Sequence, residues 1–495
     1  MSQTSVVVEI DSPIGTISPR LYGHFAEHLA RCCYDGLWVG TDESAIPQDG
    51  GFRTDVLAAL RALPVPLLRW PGGCYADHYH WRDGIGPRDQ RPRRLGMSCG
   101  LQVEDDNGLG THEFLRLCAE LGAEPYLAGN VGTGSAQELC DWLEYCNSVR
   151  DTALTRERRT NGASNPFGVR LWGVGNENWG CGGNFDAVSY AHEYRRFATM
   201  LRHVDPNAEL VACGRDDAWN IALLETLGRH TGLVDHLSIH RYWNRSGHAT
   251  NFDDVQYYAL LAEAHATEDF IRDTARIIQD AIPAGQRMGI ALDEWGVWHP
   301  EARLPPPAVG VEARQKHTFE QVGTLRDALA AAIALEGFHR HCDVLTLANL
   351  AQIVNVLHAV VMTNGARMWR TPTYHALRLH APHIGATALR VTVDRGDSLP
   401  DGSPGLSATA SRSAEGLAVT LINRHRHLAA DVCLDGHLNF KVANGQLLTA
   451  PTPRAANSAE QPDSVVPCPL KLHADRHHEW RFELPAHSLA TICLS

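Results

Sequence analysis

The chain has 495 residues, 44% hydrophobic and 20% charged, which is the composition of a globular protein and not of a disordered one. This length is too great for one ordinary core and predicts one large domain with a smaller one. The formal net charge of −13, without a long run of Lys or Arg, excludes a typical nucleic-acid-binding protein and is compatible with a neutral substrate.

Between residues 20 and 380, apolar runs alternate with amphipathic stretches in which apolar residues return every three or four positions. The apolar runs predict eight strands, over Leu21–Phe25, Pro66–Trp70, Pro125–Gly129, Leu171–Asn176, Leu210–Cys213, His236–His240, Gly289–Asp293 and Val344–Leu350. The amphipathic stretches predict helices over Thr54–Leu63, His112–Leu121, Ala136–Tyr145, Tyr190–Val204, Ile221–Arg229, Glu268–Ala281 and Phe319–Glu336. This alternation predicts an α/β fold, a (β/α)8 TIM barrel with its active site at the carboxyl ends of the strands.

Three segments without clear periodicity each follow a predicted barrel strand, namely Asp83–Gly110, Arg241–Val255 and His299–Val311. We expect them to form active-site loops. The last one contains Pro305-Pro-Pro, a stiff insertion that we expect to reshape the mouth of the pocket.

From about residue 385 the pattern changes to alternation of apolar and polar residues, separated by Gly, Pro, Asn and Asp. This predicts a C-terminal antiparallel β-sandwich domain, jelly-roll-like, over residues 385–495, after a catalytic barrel over residues 19–384. The opening run Val6-Val-Val-Glu-Ile precedes the first barrel strand and has no helix of its own, so we expect residues 1–18 to join the sandwich.

The cysteines and the N-terminus both bear on the compartment. Thirteen cysteines without a spacing framework favour a reducing compartment over a disulfide scaffold. Cys32-Cys33 is either a vicinal disulfide or, as we favour, two unrelated buried thiols. The N-terminus lacks a basic start before a long apolar stretch, and no segment approaches the ~20 apolar residues that cross a bilayer. We therefore expect a cytoplasmic protein that does not enter the membrane.

Two glutamates lie at the carboxyl ends of predicted apolar strands. Glu177 lies in Gly173-Val-Gly-Asn-Glu-Asn-Trp at the end of the fourth strand, and Glu294 lies in Ala291-Leu-Asp-Glu-Trp at the end of the seventh. Two carboxylates that face one pocket are the catalytic groups of a glycosidase. A separation of about 5–5.5 Å between them indicates a retaining mechanism, and one of about 6.5–9.5 Å indicates an inverting mechanism. Asn176 is placed to hold a sugar 2-hydroxyl beside the acid.

Three tryptophans and several pairs of histidines are further candidates for a role in the site. Trp179, Trp295 and Trp298 flank the two glutamates and could stack on sugar rings, although core packing is the alternative for any one of them. Among 27 histidines, the pairs His78/His80, His339/His341 and His477/His478 match no zinc motif. We therefore expect neither a catalytic metal nor a cofactor.

Six motifs then carry a resemblance to a known family: Arg69-Trp-Pro-Gly-Gly-Cys-Tyr-Ala-Asp, Trp81-Arg-Asp-Gly-Ile-Gly-Pro, Gly110-Thr-His-Glu-Phe, Gly175-Asn-Glu-Asn-Trp-Gly-Cys-Gly-Gly, Asp293-Glu-Trp and Asn349-Leu-Ala-Gln-Ile-Val-Asn. In this order they strongly resemble the α-L-arabinofuranosidases of glycoside hydrolase family 51. The resemblance extends over nearly the whole chain. It implies a retaining mechanism, a barrel with an appended β-sandwich, and a homo-oligomer, frequently a hexamer.

The resemblance also implies roles for individual residues. Glu177 is similar to the family's general acid/base, and Glu294 is similar to its nucleophile. Glu27 in Gly23-His-Phe-Ala-Glu-His matches a glutamate that holds a furanose hydroxyl. Further pocket residues are implied at Cys74, Asn176, Tyr242 and Gln352. Cys74 could instead be a small residue under a loop, and Tyr242 could be an aromatic residue at the rim.

The activity that follows is removal of terminal α-L-arabinofuranosyl units from arabinoxylan or arabinan oligosaccharides. The alternatives are a β-D-galactofuranosidase, a β-D-xylosidase or an endoglucanase, and, from another class, a sugar-binding protein without catalysis. The last would be expected to lack one carboxylate, whereas both are present.

Overall fold

The structure is a computed structural model that describes residues 3–41, 45–303, 317–394, 396–434, 443–474 and 479–495. Pro305–Pro307, most of the predicted loop His299–Val311, and the pair His477/His478 lie outside the described residues.

A closed barrel of parallel strands forms the larger part of the described chain. Its strands follow one another in chain order and are named here β1 Gly23–Phe25, β2 Leu67–Trp70, β3 Glu124–Gly129, β4 Leu171–Val174, β5 Glu209–Ala212, β6 His236–Trp243, β7 Gly289–Val297 and β8 Leu345–Ala351. Each predicted strand overlaps one of these. β4 ends two residues before the predicted end, whereas β6 and β7 continue three and four residues beyond it.

Seven of the described helices correspond to the predicted ones, and most of their boundaries agree within a few residues, whereas Ala153–Thr160, Asp254–His265 and Pro372–Leu379 were not predicted. The described helices span Thr54–Ala62, Thr111–Leu121, Ala136–Asn147, Ala153–Thr160, Ala187–Val204, Asp217–Leu227, Asp254–His265, Thr267–Ala281, Leu325–Arg340 and Pro372–Leu379. The helix predicted from Phe319 begins only at Leu325, where Thr324 and Asp327 form a capping box. Asp83–Gly110 is not an irregular loop throughout, because it contains the hairpin Arg94–Ser98 and Leu101–Asp105.

Antiparallel strands of the C-terminal part form one curled sheet with the N-terminal strand. In spatial order, the described strands are Cys468–Pro469, Ala443–Leu448, Ser488–Leu494, Gly416–Asn423, Leu406–Ser413, Thr387–Asp394, Thr4–Thr16, Ala430–Leu434, Trp480–Leu484 and His473–Ala474. The N-terminal strand pairs antiparallel with Thr387–Asp394 and parallel with Ala430–Leu434. Val6, Leu421, Val432 and Ile492 are buried in the core that this sheet encloses. The predicted fold class, a barrel with an appended antiparallel domain, is confirmed.

Three buried histidines lie where the barrel meets the sheet domain. The ring centroids of His339 and His383 are 5.0 Å apart, and those of His380 and His383 are 5.9 Å apart. His383 bonds Ser411 Oγ and Thr420 Oγ1, both at 2.8 Å. The interface between the barrel and the sheet domain therefore contains a buried, hydrogen-bonded histidine cluster.

In the described part of the chain, no helix is both long and apolar enough to cross a bilayer.

Candidate active site

The segment after β4 turns sharply and presents Glu177 over the end of the barrel. β4 ends at Val174, and Gly175 (φ 89°) and Glu177 (φ 40°) both adopt left-handed backbone. A side chain at position 175 would clash with Asn178 Oδ1, so the turn requires glycine there. Asp77 fixes the turn by accepting from the backbone N–H of Asn176 at 3.2 Å.

β7 carries an irregularity that aims two successive acidic side chains inward. Its register shifts against β6 between the pairs Ser238–Ala291 and His240–Glu294, and against β8 between Leu292 and Trp295. In a regular strand, neighbouring side chains point to opposite faces. A bulge re-aims one of them, and here both Asp293 and Glu294 face the barrel axis. Glu294 therefore lies inside the strand, not beyond its end as predicted.

The two predicted catalytic carboxylates meet across one imidazole. His240 Nδ1 lies 2.8 Å from Glu177 Oε1 and 3.5 Å from Glu294 Oε2. One donor atom from each of Glu177, His240 and Glu294 lies within 4.8 Å of the other two. Oxygens of Glu177 and Glu294 within 4.8 Å of each other agree with the short carboxylate spacing of a retaining glycosidase, about 5–5.5 Å, and not with the ~6.5–9.5 Å that leaves room for an attacking water.

Neighbouring charges change the pKa values of His240 and Glu294. Burial alone would lower the pKa of His240, but the charge of Glu294 and hydrogen bonds to Asp293 and Glu177 raise this pKa to about 10. The imidazole is therefore a cation at neutral pH. Burial raises the pKa of Glu294, and the positive charges of His240 and Arg69 oppose that rise.

Arg69, at the end of β2, joins both predicted catalytic segments. Its Nη1 donates to Glu294 Oε1 at 2.9 Å and its Nη2 donates to Asn176 Oδ1 at 2.5 Å. Burial raises the pKa of Asp293, but the charge of Arg69 and a hydrogen bond from His240 outweigh burial and hold it below its usual range. Tyr242 completes the set, since its hydroxyl donates to Glu294 Oε2 at 2.7 Å.

Glu27 forms a second buried carboxylate site, in which Gln352 is a direct hydrogen-bond partner. Gln352 Nε2 donates to Glu27 Oε2 at 2.9 Å, while Ser98 Oγ and the Tyr75 backbone N–H donate to Oε1 at 2.6 and 3.1 Å. Burial, followed by the charge of Glu294, raises the pKa of Glu27 to about 7, against the effect of these three hydrogen bonds.

Cys74 forms a disulfide with Cys181, which the sequence did not predict. The partners are separated by 107 residues, and Cys181 lies in the turn that follows Glu177. Cys74, which was expected as a pocket residue or as a small residue under a loop, is therefore half of a disulfide in this structure. Cys32 and Cys33 are both free and buried, as we favoured.

The three tryptophans differ in their surroundings. Trp298 is half-buried and its ring packs edge-on to Tyr242, with centroids 5.4 Å apart. Trp179 is half-buried, donates to Gly214 O at 3.2 Å, and has the Arg215 guanidinium 4.8 Å from its ring centroid. Trp295 is 1% exposed and packs on Trp243 and Phe338, so it is a core residue and not part of a sugar platform.

Arg69, His240, Asp293, Asp77 and Ser98 were given no role from the sequence. Arg69 and His240 lie at or next to the carboxyl ends of predicted strands, and this position could have identified them as active-site residues. Ser98 had none, because it reaches Glu27 only through the unpredicted hairpin Arg94–Asp105.

Two groups of described side chains could hold a metal ion, and both contain Glu177. They are Cys74, Glu177 and Cys181, and Glu177, His240 and Glu294. A groove of about 1060 Å3 lies at the opposite, amino end of the barrel, among Arg272, Arg287, Gly289 and Thr346. It has no contact with the carboxylates, so its size does not make it the active site.

A barrel whose carboxyl end carries two facing carboxylates, one held by a cationic imidazole and the other by arginine and tyrosine, defines a glycoside hydrolase. Sequence profiles agree, since those described as "Alpha-L-arabinofuranosidase 1 domain" and "Alpha-L-arabinofuranosidase C-terminal domain" match residues 59–259 and 293–488. An "Intracellular exo-alpha-L-arabinofuranosidase" of Bacteroides ovatus is 39% identical, over 99% of this chain and 95% of the relative.

Solved structures give the same result. A GH51 arabinofuranosidase from Xanthomonas axonopodis pv. citri has a TM-score of 0.91 at 34% identity, with 100% of each chain covered. An α-L-arabinofuranosidase from Thermotoga maritima, solved as an arabinose complex, has a TM-score of 0.87 at 32% identity, with 99% of each chain covered. The chain belongs to the α-L-arabinofuranosidases of glycoside hydrolase family 51.

Proposed function

We propose that the protein is a retaining exo-glycosidase that removes terminal non-reducing α-L-arabinofuranosyl residues from arabinoxylan or arabinan oligosaccharides. The observation that carries this proposal is the placement of Glu177 and Glu294 oxygens within 4.8 Å of each other and of His240. The names of the relatives support the choice of sugar.

The reaction proceeds by double displacement. Glu294 attacks the anomeric carbon while Glu177 protonates the leaving glycosidic oxygen, which gives a glycosyl-enzyme. Glu177 then removes a proton from water, and this water releases the sugar from Glu294. Arg69 and Tyr242 each donate to Glu294, so they orient its carboxylate and oppose the rise in its pKa that burial causes.

The sugar is held by buried polar groups around the carboxylates. Glu27 and Gln352 bond each other and offer their remaining capacity to furanose hydroxyls, and Asn176 serves the hydroxyl beside the anomeric carbon. Cys74 contributes the pocket wall as a disulfide, not as a thiol. Trp179 and Trp298 are the half-buried aromatic residues proposed for the leaving-group side.

The decisive experiment is a panel of aryl glycosides. We expect the 4-nitrophenyl α-L-arabinofuranoside to be hydrolysed with the highest kcat/KM, and NMR of the first product to show the α-anomer. A preference for β-D-galactofuranoside or β-D-xyloside, or a β-anomeric first product, would refute the specificity or the retaining scheme respectively.

We also propose that the enzyme acts in the cytoplasm as a homohexamer, without a cofactor. The intracellular relative from Bacteroides ovatus supports the compartment, and the family resemblance supports the hexamer. Light scattering coupled to size exclusion tests the assembly, and a monomeric mass would contradict it.

A further inference from the structure

Three cysteine sulfurs from three separate segments converge beside the proposed acid/base. Cys74 follows β2, Cys181 lies in the turn after Glu177, and Cys99 lies at the tip of the hairpin Arg94–Asp105. Cys99 Sγ is 3.9 Å from Cys74 Sγ, and Cys181 Sγ is 3.8 Å from Glu177 Oε2. Double displacement by Glu294 and Glu177 uses none of these sulfurs as a reacting group.

The Cys99–Cys74 and Cys181–Glu177 separations have the size of two opposite edges of a tetrahedral metal site. With metal–sulfur bonds of about 2.3 Å and metal–oxygen bonds of about 2.0–2.2 Å, neighbouring donors of a tetrahedral zinc ion lie roughly 3.5–3.8 Å apart. Donor atoms of Cys74, Glu177 and Cys181 all lie within 4.8 Å of one another. The Cys74–Cys181 edge alone does not fit, because these two sulfurs are bonded to each other in the disulfide.

We propose that reduction of the Cys74–Cys181 disulfide converts this wall of the pocket into a binding site for a soft divalent cation of the zinc and cadmium class. The ligands are the thiolates of Cys74, Cys99 and Cys181 and the carboxylate of Glu177. A dithiol supplies two electrons and two protons, becoming a cyclic disulfide as the S–S bond breaks. The cation then displaces the three thiol protons and forms three metal–sulfur bonds and one metal–oxygen bond.

The surrounding charge supports a cation at this place. The carboxylates of Glu27, Glu177 and Glu294 all lie close enough to Cys99 to interact with it electrostatically. These negative charges attract a divalent ion, and the bound ion deprotonates a coordinating thiol.

The second donor group, Glu177, His240 and Glu294, is a weaker candidate. His240 Nδ1 donates to Glu177, and the raised pKa keeps the ring protonated at neutral pH, so this nitrogen has no free lone pair. The sulfur site also suits a reducing cytoplasm, where disulfides are opened by dithiols.

A cation bound to Glu177 removes the proposed acid/base from catalysis. The reduced enzyme should therefore be inhibited reversibly by zinc, whereas the oxidised enzyme should be unaffected. This consequence rests on the proposed function, but metal binding itself does not.

The test uses the full chain in two forms, one oxidised and one reduced with dithiothreitol and desalted without oxygen. Each is titrated with Cd2+ and followed by the ultraviolet absorption of cadmium thiolates and by elemental analysis after dialysis. We expect one tightly bound Cd2+ per chain in the reduced form and none in the oxidised form. Cys99→Ala should weaken the Kd of the reduced form at least about tenfold, the minimum that loss of even an outer partner costs. Cys468→Ala, an exposed cysteine in the sheet domain, is the matched control and should change nothing.

Equal uptake by the oxidised and reduced forms, or an unchanged Kd in Cys99→Ala, would overturn the proposal. So would uptake that disappears in Cys468→Ala, or Cd2+ binding that leaves hydrolysis by the reduced enzyme unchanged. If the purified chain hydrolyses no glycoside at all, the proposed function fails, while absorption and stoichiometry still decide the metal site. Thermal unfolding of Cys99→Ala confirms that any loss of binding is not a loss of fold.

Discussion

The imidazole of His240 donates from Nδ1 to Oε1 of Glu177 at 2.8 Å. The two residues are 63 positions apart in the sequence, His240 within β6 and Glu177 in the turn after β4. The same ring lies 3.2 Å from Asp293 through Nε2. One cationic ring therefore separates three acidic side chains that would otherwise repel each other.

Replacing His240 by glutamine should move the acidic limb of the kcat/KM profile to higher pH. The charge of His240 lowers the pKa of Glu294, so its loss lets burial raise this pKa further. We expect a shift of about one pH unit, the usual size for removal of a neighbouring opposite charge. If kcat/KM falls at every pH but the acidic limb does not shift, His240 has only a packing role.

Glu294→Ala should abolish turnover, because no glycosyl-enzyme forms without the nucleophile. Loss of the general acid/base alone costs ~10²–10⁴-fold, so loss of the nucleophile should cost at least as much. Steady-state hydrolysis of an aryl arabinofuranoside measures it, with Glu415→Ala at an exposed turn of the sheet domain as control. More than about a tenth of wild-type activity would remove Glu294 from the nucleophile's role.

Glu177→Ala should slow the second step more than the first on a substrate with a good leaving group. Such a leaving group scarcely needs protonation, whereas the attacking water still needs a base. Glycosyl-enzyme should accumulate, and azide should restore turnover and give an α-configured glycosyl azide, because azide attacks the glycosyl-enzyme from the face that water uses. Mass spectrometry and NMR of the products report both, and a β-configured azide would contradict the retaining scheme.

Glu27→Gln should lower kcat/KM at least about tenfold, a loss of about 1.4 kcal/mol in transition-state binding. Ser98, Tyr75 and Gln352 all donate hydrogen bonds to this carboxylate. The amide N–H group of the introduced glutamine would face at least one of these donors, and that hydrogen bond would be lost. Kinetics and thermal unfolding should be measured together. Near-normal kcat/KM, or a collapse of stability that accounts for the lost activity, would assign Glu27 to the scaffold.

His383 should make folding sensitive to acid. Burial lowers the pKa of His383 well below its ordinary value, so the unfolded chain binds a proton there that the folded chain does not. Stability from this group is complete above the unfolded pKa of about 6.5 and is lost as the pH falls below it, by up to about 1.4 kcal/mol per pH unit. His383→Gln should flatten the dependence of the unfolding free energy on pH between 4.5 and 6.5 by about this amount. His248→Gln, at an exposed position, should keep the wild-type slope and serves as the control.

The sequence by itself determined the barrel strands, most of the helices around them and the two carboxylates. These elements could be predicted because the spacing of apolar residues within each segment indicates its secondary structure and its buried face. Glu177 and Glu294 could be found because a barrel brings the carboxyl ends of all its strands to one face. Glu27 and Gln352 could be placed in the pocket only through family resemblance, and the structure shows them bonded to each other.

Only the tertiary structure decided the contacts between distant segments. The bulge on β7 turns both Asp293 and Glu294 inward against strict alternation, and this follows from the pairing with β6 and β8, not from the residues of β7 alone. The Cys74–Cys181 disulfide joins segments 107 residues apart, and Ser98 reaches Glu27 through a hairpin that showed no clear periodicity. Trp295 flanks a carboxylate in the sequence yet lies in the core, because successive side chains of a strand face opposite sides. Such contacts leave no local signal in the chain, since they depend on which strands become neighbours when the barrel closes.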